Sequence, residues 1–130
     1  MPSELSLAVV GAAHPNADGS DRRFEILLCA PGEPLELRPE PTNRADPNAI
    51  AVFSSRGVQI GYLTAERAPW IGSKLASGID VRAVFQSKTD YGALIRANLV
   101  GADPILPHPK SLRPEGDESG FWPDYIPPED

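Results

Sequence analysis

Apolar positions recur along this chain in short runs, and their period changes once. Residues 6–13 are apolar around a Val-Val centre and predict a first strand. The stretch that follows, His14-Pro15-Asn16-Ala17-Asp18-Gly19-Ser20-Asp21, is dense in turn formers. Residues 22–30 close on the apolar string Ile26-Leu27-Leu28-Cys29-Ala30 and predict a second strand. After the turn signal Pro31-Gly32-Glu33-Pro34, Leu35-Glu36-Leu37-Arg38 alternates apolar with charged, so Glu36 and Arg38 should face away from the core. Residues 49–54 and 58–63 are two further apolar runs; Ser55-Arg56-Gly57 between them predicts a hairpin with a positive φ at Gly57.

From Thr64 to Gly78 the spacing becomes helical. Ala68, Ile71 and Leu75 share one face, Lys74 lies off it, and Gly78 is a C′ stop. Pro69 fits the first helical position and leaves residues 64–67 as a separate turn, so the segment is broken rather than straight. Residues 80–88 and 92–100 then predict a second hairpin, with Val81, Ala83 and Phe85 inward. The fold class is mainly β: a small OB-like or SH3-like barrel of about six to seven strands with one broken helical segment, because closing the sheet removes exposed edges.

Composition divides the chain. Residues 1–102 hold 10 Lys and Arg against 11 Asp and Glu, whereas residues 103–130 hold 2 against 7, so most of the net charge of −6 belongs to the tail. Seven of the fifteen prolines also fall in the last 27 residues, interleaved with Phe121, Trp122 and Tyr125. The expected organisation is a barrel domain over residues 1–102 and an acidic, Pro-rich, irregular tail over 103–130, whose aromatics fold back on the barrel or dock on a partner. Phosphate binding leans on Lys and Arg displacing counterions, and the near balance of the first 102 residues leaves that chemistry open.

Other function classes recede. The first residues lack a basic signal-peptide start and the apolar run 7–13 is too short to cross a bilayer, so no membrane is expected. Cys29, the sole cysteine, reads as a small buried hydrophobe, and the missing disulfide framework fits a reducing cytoplasm. With two histidines and no metal-spaced pair, Cys-x-x-Cys or Gly-rich phosphate loop, no cofactor is called for and the chain is not expected to be an enzyme. His108 between two prolines is a poor ligand or base, and His14 near Asp18 and Asp21 reads as turn chemistry.

The most distinctive block is Arg38-Pro39-Glu40-Pro41-Thr42-Asn43-Arg44-Ala45-Asp46-Pro47-Asn48-Ala49-Ile50-Ala51-Val52, followed by Gly61-Tyr62-Leu63. By itself it builds a turn: Asp46 caps a one-turn helix, Pro47 takes the first position, Asn48 bonds neighbouring backbone, and Ile50 and Val52 enter the core. The block also resembles the signature of the HIRAN domain family: an acidic-Pro pair, an Asn two residues on, Asp-x-Asn-Ala-Ile-x-Val, then Gly-aromatic-Leu. Val10-Gly11, Pro31-Gly32, Leu35-x-Leu37 and Gly78 stand in family order, so the resemblance spans about residues 6–100.

The resemblance implies an OB-like fold and a non-enzymatic module recognising single-stranded DNA or its 3′ end in repair or replication-fork processing, beside a separately encoded helicase or nuclease. It places Asn43 and Asp46 beside the terminal nucleotide, with Asp46 accepting from the free hydroxyl. His14 and Tyr62 are the rings available to the same surface, and Arg44, Arg67 and Lys74 are candidate phosphate contacts. End-binding members carry a basic-aromatic pair after the Val-Gly of strand one and an aromatic before the Asp; here those positions read Ala13, His14 and Ala45. The alternative is a protein-interaction module whose groove takes its own tail or a partner peptide.

Overall fold

A computed structural model, which describes residues 3–107, shows a closed six-stranded antiparallel barrel. In chain order the elements are β1 (Glu4–Val10), α1 (Arg22–Leu28), β2 (Pro34–Pro39), β3 (Ile50–Phe53), β4 (Gln59–Leu63), α2 (Ala68–Ala76), β5 (Arg82–Thr89) and β6 (Gly92–Asn98). Around the barrel the order is β1-β4-β3-β2-β5-β6, and β6 returns to β1 through a six-residue register from Glu4 opposite Asn98 to Val9 opposite Ala93. The expected mainly β, OB-like barrel is therefore observed with six strands. Residues 108–130, including His108, Phe121, Trp122 and Tyr125, lie outside the described part of the chain.

The barrel is filled by Leu7, Val9, Ile50, Val52, Ile60, Phe85 and Ile95, and Ile71 of α2 joins them. Each such side chain contributes about 1.5–3 kcal/mol on burial. The expected inward set Val81, Ala83 and Phe85 packs on this core, while Glu36 and Arg38 are exposed. Those two pair with each other, Arg38 Nε donating to Glu36 Oε2 at 2.8 Å, and the Arg38 guanidinium lies 3.8 Å from the centroid of the Phe53 ring. Gly57 closes the β3–β4 hairpin at φ 80°, as its sequence context predicts. Residues 64–67 form a turn before α2, Pro69 sits in the first turn of that helix, and Gly78 follows it at φ 89°.

Two expectations are corrected. Residues 22–28 form a helix, not a second strand. Asp21 caps it, accepting from the N–H groups of Arg23 and Phe24, and Arg22, Glu25 and Ile26 turn inward at helical spacing. The apolar run Ile26-Leu27-Leu28 satisfies strand and helix alike over so short a length, and the Asp21 cap decides between them. Second, residues 46–49 make a turn and not a one-turn helix: Asp46 Oδ1 accepts from Asn48 N–H at 2.9 Å, and its carbonyl from Ala49 N–H at 3.0 Å.

Helix α1 is tied to the β3–β4 hairpin by a charged cluster. The buried Glu25 accepts from Ser54 Oγ at 2.6 Å and from Arg56 Nε at 2.6 Å, and Arg56 Nη2 also reaches Glu33 at 3.3 Å. Burial pushes Glu33 up, but donors from Ser55 and from the Ala30 N–H outweigh it and hold the carboxyl below its ordinary value. Cys29 borders this cluster: burial, aided by the negative charge of Glu33, pushes its thiol from 9.0 to about 11. At pH 8 the thiolate is then about 100-fold scarcer than in an ordinary thiol. Iodoacetamide is expected to alkylate Cys29 correspondingly slowly in the folded chain and at the ordinary rate in denaturant, which mass spectrometry against time would check.

Candidate nucleic-acid interface

The loop between β2 and β3 is organised by its own side chains. Glu40 N–H donates to Ala49 C=O at 2.8 Å, closing the base of the loop, and Asn43 N–H donates to Glu40 C=O at 2.9 Å. Asn43 Oδ1 then accepts from the N–H groups of Ala45 (2.9 Å) and Asp46 (3.1 Å), an Asx turn that fixes where Asp46 begins. Asn43 Nδ2 donates to Glu40 Oε1 at 3.0 Å, and the same oxygen accepts from Tyr62 Oη at 2.8 Å. One carboxylate oxygen therefore locks the loop to the tyrosine of β4. Asp46 is half-buried, and with Oδ1 held by Asn48 its Oδ2 has no hydrogen-bond partner among the described residues.

Tyr62 lies opposite Val10 of β1 and Ala51 of β3, and α1 supplies its other neighbour. The Arg22 guanidinium sits 5.5 Å from the centroid of its ring. Arg22 is only 8% exposed and donates in two directions: Nε to Asn16 Oδ1 at 2.7 Å and Nη1 to Gly11 C=O at 2.9 Å. Asn16 in turn donates to Ser20 Oγ and to Gln59 C=O, both at 2.9 Å. Loop 11–21 is thus pinned against β4 by a buried arginine and asparagine. His14 rides on it, exposed, with its N–H bonded to Gly11 C=O at 3.1 Å. Nearby, hydrogen bonds from Ser20 Oγ and N–H hold the Asp18 carboxyl below its ordinary value.

Of the residues expected at the site, Asn43, Asp46 and Tyr62 are joined through Glu40, and His14 is carried by the loop that Arg22 anchors. Arg44 is exposed between Asn43 and Asp46. Arg67 and Lys74 flank the ring of Trp70 at 5.7 and 5.6 Å. On a helix turning 100° per residue they fall on the side of α2 away from Pro69, Gly72 and Ser73, which form a groove with Pro39, Pro47 and Asn48. Glu40, Arg22 and Asn16 are the members that sequence reasoning missed. Glu40 was visible as the acid of the acidic-Pro pair, whereas Arg22 and Asn16 carry no local signal of their role. Among the described residues no group of three His, Cys, Asp or Glu side chains is placed to hold a metal ion, and no helix is long and apolar enough to cross a membrane.

A closed OB-like barrel, an Asx-built loop after β2 and a tyrosine after the close-packed glycine of β4 together define the class of this protein. The sequence profile of the HIRAN domain matches residues 9–100, and the chain belongs to that family. Two solved structures are similar to it in fold. The HIRAN domain of human HLTF superposes with a TM-score of 0.60 at 20% identity, covering 73% of each chain. A protein from Lactobacillus plantarum gives 0.55 at 19% identity, covering 73% of this chain and 98% of that one. Among curated proteins none matches the chain.

Proposed function

We propose that this chain is a non-enzymatic nucleic-acid-binding module that takes the 3′ end of single-stranded DNA between loops 11–21 and 40–49, serving DNA repair or fork processing. Any unwinding or cleavage then belongs to a separately encoded helicase or nuclease. The observation that carries this reading is the Asp46 carboxylate, half-buried and held at Oδ1, with Oδ2 open. A carboxylate accepts a hydrogen bond from a terminal hydroxyl and repels an internal phosphate, so it selects an end over a continuous strand. Arg44 and Arg22 supply positive charge on either side, and His14 is the ring offered on loop 11–21.

Anisotropy titration of a labelled oligonucleotide with a free 3′ hydroxyl, against the same strand ending in a 3′ phosphate, tests the reading. The free end should bind more tightly, and Asp46→Ala should erase the difference; equal affinity for both ends in the unaltered chain refutes end recognition. The alanines at 13 and 45 leave little surface for base stacking. Ala45→Tyr is therefore expected to tighten binding by about 1–3 kcal/mol.

A further inference from the structure

Helix α1 presents an apolar face to solvent that the barrel does not use. Phe24, Leu27 and Leu28 are 60%, 63% and 48% exposed among the described residues. At spacings of three and four they form one outward stripe, opposite the buried Arg22 and Ile26. An apolar stripe left open on a helix whose other faces are already charged or packed marks a surface for a partner. Beside this stripe a shallow groove of about 260 Å³ opens between α1 and the β5–β6 hairpin, floored by Ile26, Leu27 and Gly92 and rimmed by the cations Arg23 and Lys88. None of these residues belongs to the Asn43–Tyr62 site.

We propose that this groove and stripe are a docking site for the chain's own C-terminal aromatic segment, Phe121, Trp122 and Tyr125. Three features commit the site to that occupant. The first is position. The described chain ends at Pro107, and Leu106 lies against Gly32, whose N–H is bonded to Phe85 C=O. The tail therefore departs beside Gly32, a residue four positions beyond the end of α1 and bonded to β5 three positions before Lys88, so it leaves from the segment that joins the two walls of the groove to the barrel. The second is reach: Phe121 lies fourteen positions beyond Pro107, and an extended chain of that length spans up to about 46 Å. The third is charge. Residues 115–130 carry six acids and no Lys or Arg, complementary to the Arg23 and Lys88 rim. Large rings with acidic neighbours suit a groove with an apolar floor and a basic rim.

The test uses the full chain. In a Trp70→Phe background Trp122 is the sole tryptophan, and its emission should be blue-shifted and shielded from acrylamide. Leu27→Asp, an exposed position that the barrel does not need, should shift it red and raise quenching several-fold. Independently, Trp122→Ser in the otherwise unaltered chain should speed amide exchange in residues 22–28 by about ten-fold, with the β1–β6 amides unchanged. Emission typical of a fully hydrated indole, insensitive to Leu27→Asp, overturns the proposal. Shielding that vanishes on dilution overturns it as well, because it assigns the groove to a second copy of the chain. Shielding that persists at low protein concentration together with faster exchange in Trp122→Ser supports docking in cis.

Discussion

A Gly61→Ala chain is expected to lose about 4 kcal/mol or more of stability, a large share of the roughly 5–15 kcal/mol that holds a domain folded. Gly61 adopts φ 152°, and a Cβ there would fall onto the carbonyl oxygen of Val10 and within 2.8 Å of Val9 Cγ1. Neither obstacle is a flexible side-chain end. Both belong to β1, whose pairing with β4 helps close the barrel. Gly92 repeats the arrangement on the other side of β1, where a Cβ would fall onto Val9 C=O at φ 156°. The barrel is thus drawn tight around β1 by two glycines, one from each neighbouring strand. Urea denaturation followed by circular dichroism measures the effect, and a loss under about 1 kcal/mol would show that β1 can move away cheaply.

Arg22→Met is expected to cost about 2–4 kcal/mol and, in the same variant, to weaken any ligand binding between loops 11–21 and 40–49. Methionine fills much of the volume but strips Asn16 Oδ1 of the donor at 2.7 Å and leaves Gly11 C=O with the His14 N–H alone in place of two donors. A buried acceptor stripped of its partner costs about 1–3 kcal/mol, and Tyr62 also loses the cation beside its ring. Arg22→Lys should recover only part of the loss, since one ammonium cannot reproduce a fork that donates in two fixed directions. Thermal unfolding of the three chains gives the stability ranking. Full recovery by lysine would mean that charge alone, and not the paired donation, holds loop 11–21.

The residues that write their structure locally were readable in the chain. Asn43 and Asp46 bond backbone two and three residues away, Gly57 and Gly78 take positive φ where a hairpin and a helix end, and Leu35 and Leu37 alternate with Glu36 and Arg38. Short-range chemistry of this kind depends on near neighbours in sequence, and so it survives in a pattern. The misread segment, residues 22–30, fails for the complementary reason. An apolar run of five residues has no period long enough to separate helix from strand, and the deciding cap at Asp21 lay within what read as a loop.

By itself, then, the sequence determined the barrel, its hairpins, the turn that presents Asp46, and membership in the HIRAN domain family through the block from Arg38 to Leu63. Tertiary structure alone decided what stands around that turn. Glu40 meets Tyr62 across 22 residues of chain, and Arg22 reaches Gly11 and Tyr62 only because α1 packs on β4. Each of those placements is set by strand pairing and closure, which act between segments far apart in sequence and leave no period or spacing at the residues they bring together.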